Sequence, residues 1–147
     1  SLTVKNCAEP TAYEKAGKKN KDDKEKTLRI ISKMTELRKL DLSYNYLYTL
    51  TDDFVNLKNL GFLRLSGNPT LQNLPDFSQL EKLRELYFSG ESSYSNVPSA
   101  KPELLKQILS TNMPLLETLY AERWKIGEND EISEPHKNMP NLKTFKK

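Results

Sequence analysis

The sequence predicts an α/β solenoid, a coil whose successive turns each add one short strand to a parallel sheet. Three observations lead there. Leucine occurs 23 times against 5 isoleucines and 3 valines, whereas ordinary buried strands favour β-branched residues. Fourteen of those leucines fall between Leu37 and Leu86, in a pattern that returns after 23 residues. Within each copy the apolar positions alternate, which is strand spacing and not the spacing of a helical bundle. A fold that reuses the same leucine sites on every turn accounts for all three.

Composition sets the frame. The chain has 147 residues, 36% of them hydrophobic, with 23 Lys and Arg against 20 Asp and Glu and a net charge of +3. That is enough apolar material for one continuous core and too much for a disordered tail. No run is long and apolar enough to span a membrane. A single cysteine excludes an intramolecular disulfide framework and a multi-cysteine metal site.

Each copy is best numbered from its first leucine. Leu37, Leu40, Leu42 and Asn45 stand at offsets 0, 3, 5 and 8, and Leu60, Leu63, Leu65 and Asn68 repeat them. Leu83, Leu86 and Phe88 follow, with Glu91 in the Asn place; then Leu116, Leu119 and Ala121, with Trp124 at offset 8; then Leu142 and Phe145. Leu2, Val4 and Cys7 fit offsets 3, 5 and 8 of a first copy. The position three residues upstream is apolar every time: Met34, Leu57, Leu80, Met113 and Met139.

Offsets 3 and 5 lie on one face of a strand, so Leu40 and Leu42 point inward while Lys39, Asp41 and Ser43 point out. No single turn can bury its own leucines; neighbouring turns complete the core. Asn45 and Asn68 sit where the chain leaves the strand. A buried amide there can satisfy backbone groups of adjacent turns, whose exposure to an apolar core costs roughly 1–3 kcal/mol each.

The pattern L-x-x-L-x-L-x-x-N resembles the leucine-rich repeat family from end to end, most strongly over residues 37–59 and 60–82. The resemblance implies a right-handed solenoid with a curved parallel sheet, and helices and irregular turns on its convex side. Five strands are expected near 2–4, 39–42, 62–65, 85–88 and 118–121, with a partial sixth near 144–146, in one domain over 1–147. Cys7 in the Asn place is similar to the cysteine-type repeats of the family, where the residue is buried and structural.

The return path of each turn varies. The regular copies return through Leu47, Leu50 and Phe54, and through Leu71, Leu74 and Phe77. With Thr51-Asp52-Asp53 and Pro75, each predicts an irregular or 3₁₀-like turn. The stretch Asp22–Met34 predicts a helix with an acidic start and Leu28, Ile30, Ile31 and Met34 on its apolar side. Pro102 opens a second helix with Leu104, Leu105, Ile108 and Leu109 as the buried stripe. Ala8–Lys21, rich in lysine, and Glu91–Lys101, rich in serine, are expected as solvated loops.

Chemistry is sparse. His136 is the only histidine, so a two-histidine metal site or a second histidine base is impossible within the chain. There is no glycine-rich phosphate loop, and the pairs Asp22-Asp23 and Asp52-Asp53 suit capping better than acid–base work. No catalytic residue, cofactor, metal or small-molecule substrate is expected. An isoelectric point near 8.8 raises nucleic-acid binding, but acidic residues dilute the lysines between Lys15 and Lys26, so no phosphate track is evident.

What remains is the outward face of the sheet. Offset 2 reads Ser1, Lys39, Phe62, Glu85, Thr118 and Thr144; offset 4 reads Thr3, Asp41, Arg64, Tyr87, Tyr120 and Lys146; offset 6 reads Lys5, Ser43, Ser66, Ser89 and Glu122. Phe62, Tyr87 and Tyr120 fall on one patch with Arg64, bordered by Asp41, Glu85 and Glu122. Aromatic and arginine residues with a charged rim suit a protein interface, and family members commonly bind partners on this concave face. The expected function is a scaffold for a polypeptide partner. The alternative is the recognition part of a larger enzyme or receptor, of the ubiquitin-ligase or immune-receptor kind. The lone cysteine points to the cytoplasm or nucleus, and bacterial periplasm or cell surface stays open. Because neither terminus carries a polar cap, further repeats or another chain are expected to cover the ends.

Overall fold

The computed structural model describes residues 1–4, 10–90, 101–124 and 135–147, without the side chains of 10–20 and of His136. The expectations for Cys7, Glu91 and the His136 side chain lie outside the described residues, as does the serine-rich loop up to Ala100.

Six strands form one parallel sheet in sequence order: β1 (Leu2–Thr3), β2 (Lys39–Asp41), β3 (Phe62–Arg64), β4 (Glu85–Tyr87), β5 (Thr118–Tyr120) and β6 (Thr144–Lys146). The Cα partners follow the repeat offsets throughout. Leu2, Leu40, Leu63, Leu86, Leu119 and Phe145 stand in one row, and Thr3, Asp41, Arg64, Tyr87, Tyr120 and Lys146 in the next. The sheet is open, not closed into a barrel.

Strand residues end one position earlier than the alternation predicts in the first five copies, and the hydrogen bonds show why. At offset 5 the backbone N–H still donates to the neighbouring strand, as from Leu42 to Arg64 and from Leu65 to Tyr87. The carbonyls there turn elsewhere, to side chains. Asn45 Nδ2 donates to Val4 O at 2.6 Å and Asn68 Nδ2 to Leu42 O at 3.0 Å and Leu65 O at 2.8 Å. In the longer repeat the Trp124 indole N–H donates to Phe88 O at 2.8 Å. The indole thus supplies to the turn below it the same donor that asparagine supplies in the shorter copies.

The upstream apolar column closes a backbone turn in every repeat: the N–H groups of Leu37, Leu60, Leu83, Leu116 and Leu142 donate to the carbonyls of Met34, Leu57, Leu80, Met113 and Met139. Four of those five side chains are buried. Met34 makes the same turn but stays 44% exposed, beside Ser1.

Across the core from the sheet run two helices and the short turns. The 3₁₀ turns Asp52–Asn56 and Phe77–Gln79 fall in the two regular copies as predicted, and put Phe54 and Phe77 inside, 6.3 Å apart and stacked. Helix α2 (Pro102–Leu109) has Pro102 in its first turn and buries Leu104, Leu105, Ile108 and Leu109, the expected stripe. Helix α1 departs from expectation. It runs Pro10–Ser32, through most of the segment read as a loop. Pro10 loses nothing at a helix start, and Ala, Glu and Lys are good helix formers; only Gly17 opposes, by about 1 kcal/mol. The helix therefore does not begin at Asp22, and its inner side is narrower than predicted. Leu28 and Ile31 are buried whereas Ile30, a third of a turn away, is 60% exposed.

Candidate functional site

The strand register fixes the outer face. Leu40, Leu63, Leu86 and Leu119 are fully buried, with Leu2 and Phe145 partly buried at the two edges of the row, which forces the neighbours of each to the opposite face. On that face the third, fourth and fifth strands bring three rings together. Phe62 lies 5.4 Å from Tyr87, tilted by 43°, and Tyr87 lies 4.8 Å from Tyr120, nearly parallel at 6°. Phe62 is one column aside from the tyrosines, which accounts for its tilt.

Cations cover the stack. The Arg64 guanidinium sits 5.2 Å from the Phe62 ring centre and 4.7 Å from that of Tyr87. Lys146 Nζ lies 5.2 Å from the Tyr120 ring. Arg64 also approaches Asp41, at 3.9 Å, and Asp41 in turn accepts from the Ser43 backbone N–H at 3.0 Å. The Tyr87 hydroxyl donates to Glu85 at 3.3 Å. Burial, and then the Glu85 charge, push the Tyr87 phenol above its ordinary value. A phenol shifted in that direction stays neutral across the physiological range.

Six of the seven expected site residues thus form one cluster. Glu122 is the exception: it lies beyond the end of β5, and among the described residues no hydrogen bond or ion pair joins its carboxylate to the others. Lys146 joins the cluster through the Tyr120 ring. It stood in the same sequence column as Tyr120, but a terminal lysine gave no sign that it would cap a ring.

A second feature was not read from the sequence at all. The residues just before each strand form their own column, Arg38, Gly61, Arg84, Glu117 and Lys143, each turn's N–H groups donating to the carbonyl of the turn before. Glu117 accepts from Arg84 at 2.7 Å and from Lys143 at 3.0 Å, which holds its carboxyl below the usual range, the Lys143 bond being the larger cause. Beside it opens a groove of about 450 Å³ lined by residues including Arg38, Lys39, Phe62 and Arg84.

The family model for the Leucine rich repeat matches residues 35–92, the stretch that carries β2, β3 and β4, and the repeat spacing, the continuous parallel sheet and the side-chain-bonded turns agree with it. Residues 35–92 are leucine-rich repeats. No curated protein and no solved structure matches the chain. Leucine-rich repeats serve in general as frameworks for protein interaction, and this one presents a fixed aromatic surface on its sheet. Among the described residues no group of three His, Cys, Asp or Glu side chains could hold a metal ion. No helix among them is long and apolar enough to cross a membrane.

Proposed function

We propose that the protein binds a polypeptide partner on the outer face of its sheet, through Phe62, Arg64, Tyr87 and Tyr120, with Asp41, Glu85 and Lys146 around them and no catalytic step. One observation carries this reading: the rings are already stacked on one another and held by Arg64 and Lys146. Ordering a free side chain on binding costs about 0.5–1.5 kcal/mol. A pre-stacked patch avoids most of that, so its contact area goes into affinity. Tyr, Phe and Arg are also residue types that dominate binding energy at interfaces.

The same stacking argues against single-stranded nucleic acid as the ligand. Bases would need open ring faces, and here the rings face one another or a cation.

The test is a comparison of variants against a partner isolated with the intact chain. Tyr120→Ala should weaken that partner by more than about 1 kcal/mol, while Glu122→Ala leaves it unchanged. Equal affinity for wild type and Tyr120→Ala would remove the aromatic patch from the interface.

A further inference from the structure

The groove at the strand starts has a shape and a charge that the aromatic patch does not explain. Arg38 and Arg84 occupy the same position two strands apart, so their backbones stand about 10 Å from each other at normal strand spacing. Between them the column holds Gly61, which has no side chain. The result is a notch with an arginine on either wall and backbone on its floor. A Cβ built on Gly61 would meet only the Lys82 and Arg38 carbonyls, at 3.7 and 3.8 Å, ordinary contact distances. The notch is open space, not a place the backbone needs a glycine.

Four cations line this groove, Arg38, Lys39, Lys82 and Arg84, against one carboxylate, Glu85. Glu85 is already engaged by the Tyr87 hydroxyl. Lys82 donates to the neutral Asn59 amide at 2.7 Å, which leaves its charge uncompensated. Arg84 shares Glu117 with Lys143, two cations on one anion. Arg38 and Lys39 are exposed and have no ion-pair or side-chain hydrogen-bond partner among the described residues. A net positive chain alone does not produce this, because the adjoining aromatic patch is mixed in sign.

We infer that the groove takes an acidic segment of the polypeptide partner, with one carboxylate seated in the Gly61 notch between Arg38 and Arg84. Arginine is suited to that role because its planar fork donates two parallel hydrogen bonds to a carboxylate. Phe62 lines the groove and also ends the aromatic stack. A partner strand that leaves the aromatic patch over Phe62 therefore enters the cationic groove directly. Its expected sequence character is an apolar or aromatic residue followed by Asp or Glu. This inference rests on the sheet-face reading above. A nucleic acid fits less well, since the ring stack beside the groove has its faces covered by other rings or a cation and offers bases no open stacking surface.

The experiment uses the full chain and a fluorescein-labelled octaglutamate peptide in a polarisation titration, with octaglutamine and an oligothymidylate of equal length as comparisons. Octaglutamate should bind and octaglutamine should not. Arg38→Gln, and Gly61→Gln, which fills the notch without changing charge, should each raise Kd by about tenfold. Lys101→Gln, an exposed lysine on the far side of the core, should leave it within about twofold and controls for net charge. Melting curves of the three variants should overlay the wild type. Tyr120→Ala should leave octaglutamate binding intact, so a loss of partner binding in that variant speaks only to the aromatic patch. No octaglutamate binding, or binding indifferent to Arg38→Gln and Gly61→Gln, overturns the inference while leaving the sheet-face reading standing. Tighter, Arg38-dependent binding of the oligothymidylate overturns it in favour of a nucleic-acid groove.

Discussion

Replacing Asn68 with alanine tests how the turns of the coil are joined. The Asn68 side chain is only 3% exposed and makes four hydrogen bonds. Its Nδ2 donates to Leu42 O and Leu65 O, and its Oδ1 accepts from the N–H groups of Asn45 and Leu47, both at 3.1 Å. Alanine leaves four buried backbone groups short of a partner. At about 1 kcal/mol net for each lost bond, and up to 3 where water cannot enter, the loss is at least roughly 4 kcal/mol. Asn45 Nδ2 makes two such bonds, to Val4 and Ser43, so Asn45→Ala should lose roughly 2 kcal/mol. Trp124→Phe removes a single bond while keeping a ring 4.9 Å from Phe88, and should lose about 1–2 kcal/mol. Against a typical total of about 5–15 kcal/mol the first of these is a large share. Urea denaturation followed by far-ultraviolet circular dichroism gives all three on one scale. Asn68→Asp adds a sharper variant: it keeps the shape but turns both donor contacts into carboxylate against carbonyl, and should lose at least as much as alanine. Three equal losses, or less than about 1 kcal/mol for Asn68→Ala, would refute the claim that these side chains bridge the turns.

Three further outcomes follow from the geometry. Leu63→Ala, at a fully buried central site, should lose roughly 2–5 kcal/mol in the same urea assay; a neutral result would contradict its inward position. Gly67 has φ +71°, and a Cβ there would lie 2.3 Å from the Tyr44 ring, so Gly67→Ala should lose about 1–3 kcal/mol, part of it recovered in a Tyr44→Ala background. The folded state raises the Tyr87 phenol above its usual value near 10. A raised value favours the neutral form, so its contribution is complete below that pH and fades as pH climbs through the folded value. Melting temperature measured against pH should therefore fall faster for wild type than for Tyr87→Phe in the alkaline range, and parallel curves would contradict the burial of the Tyr87 hydroxyl beside Glu85.

Much of the architecture was legible in the sequence because the repeat copies the same inward column into every turn. Once Leu37, Leu60, Leu83, Leu116 and Leu142 were aligned, the strand register had no freedom left: a slip of one residue turns every leucine to water. The contact of Phe62, Tyr87 and Tyr120 followed from the same columns. What escaped had no column to betray it. The first half of α1 has only Ala12, Tyr13 and Ala16 among polar residues and no apolar stripe, and a helix without an apolar stripe looks like a loop to periodicity. Trp124 shares one N–H with asparagine and nothing else, so its role emerged only from the bond to Phe88. Lys146 and the Arg38–Gly61–Arg84 notch depend on side-chain reach and on an absent side chain, which spacing alone does not convey. Glu122 stands apart because it lies two residues past Tyr120, beyond the end of β5: its backbone carbonyl still accepts from the Gly90 N–H, but among the described residues no hydrogen bond or ion pair joins its carboxylate to the patch.

The central claim is that a polypeptide partner contacts the outer face of the sheet. The most direct measurement places photoreactive p-benzoylphenylalanine at Phe62, and in a second protein at Gln79, an exposed residue of the 3₁₀ turn across the core. Both are irradiated in extract from the source organism and the adducts are compared by mass spectrometry. The account predicts one protein partner crosslinked from position 62, competed by the unlabelled chain but not by its Tyr120→Ala variant, with no such adduct from position 79. The same partner crosslinked from position 79 and not from position 62 would contradict it.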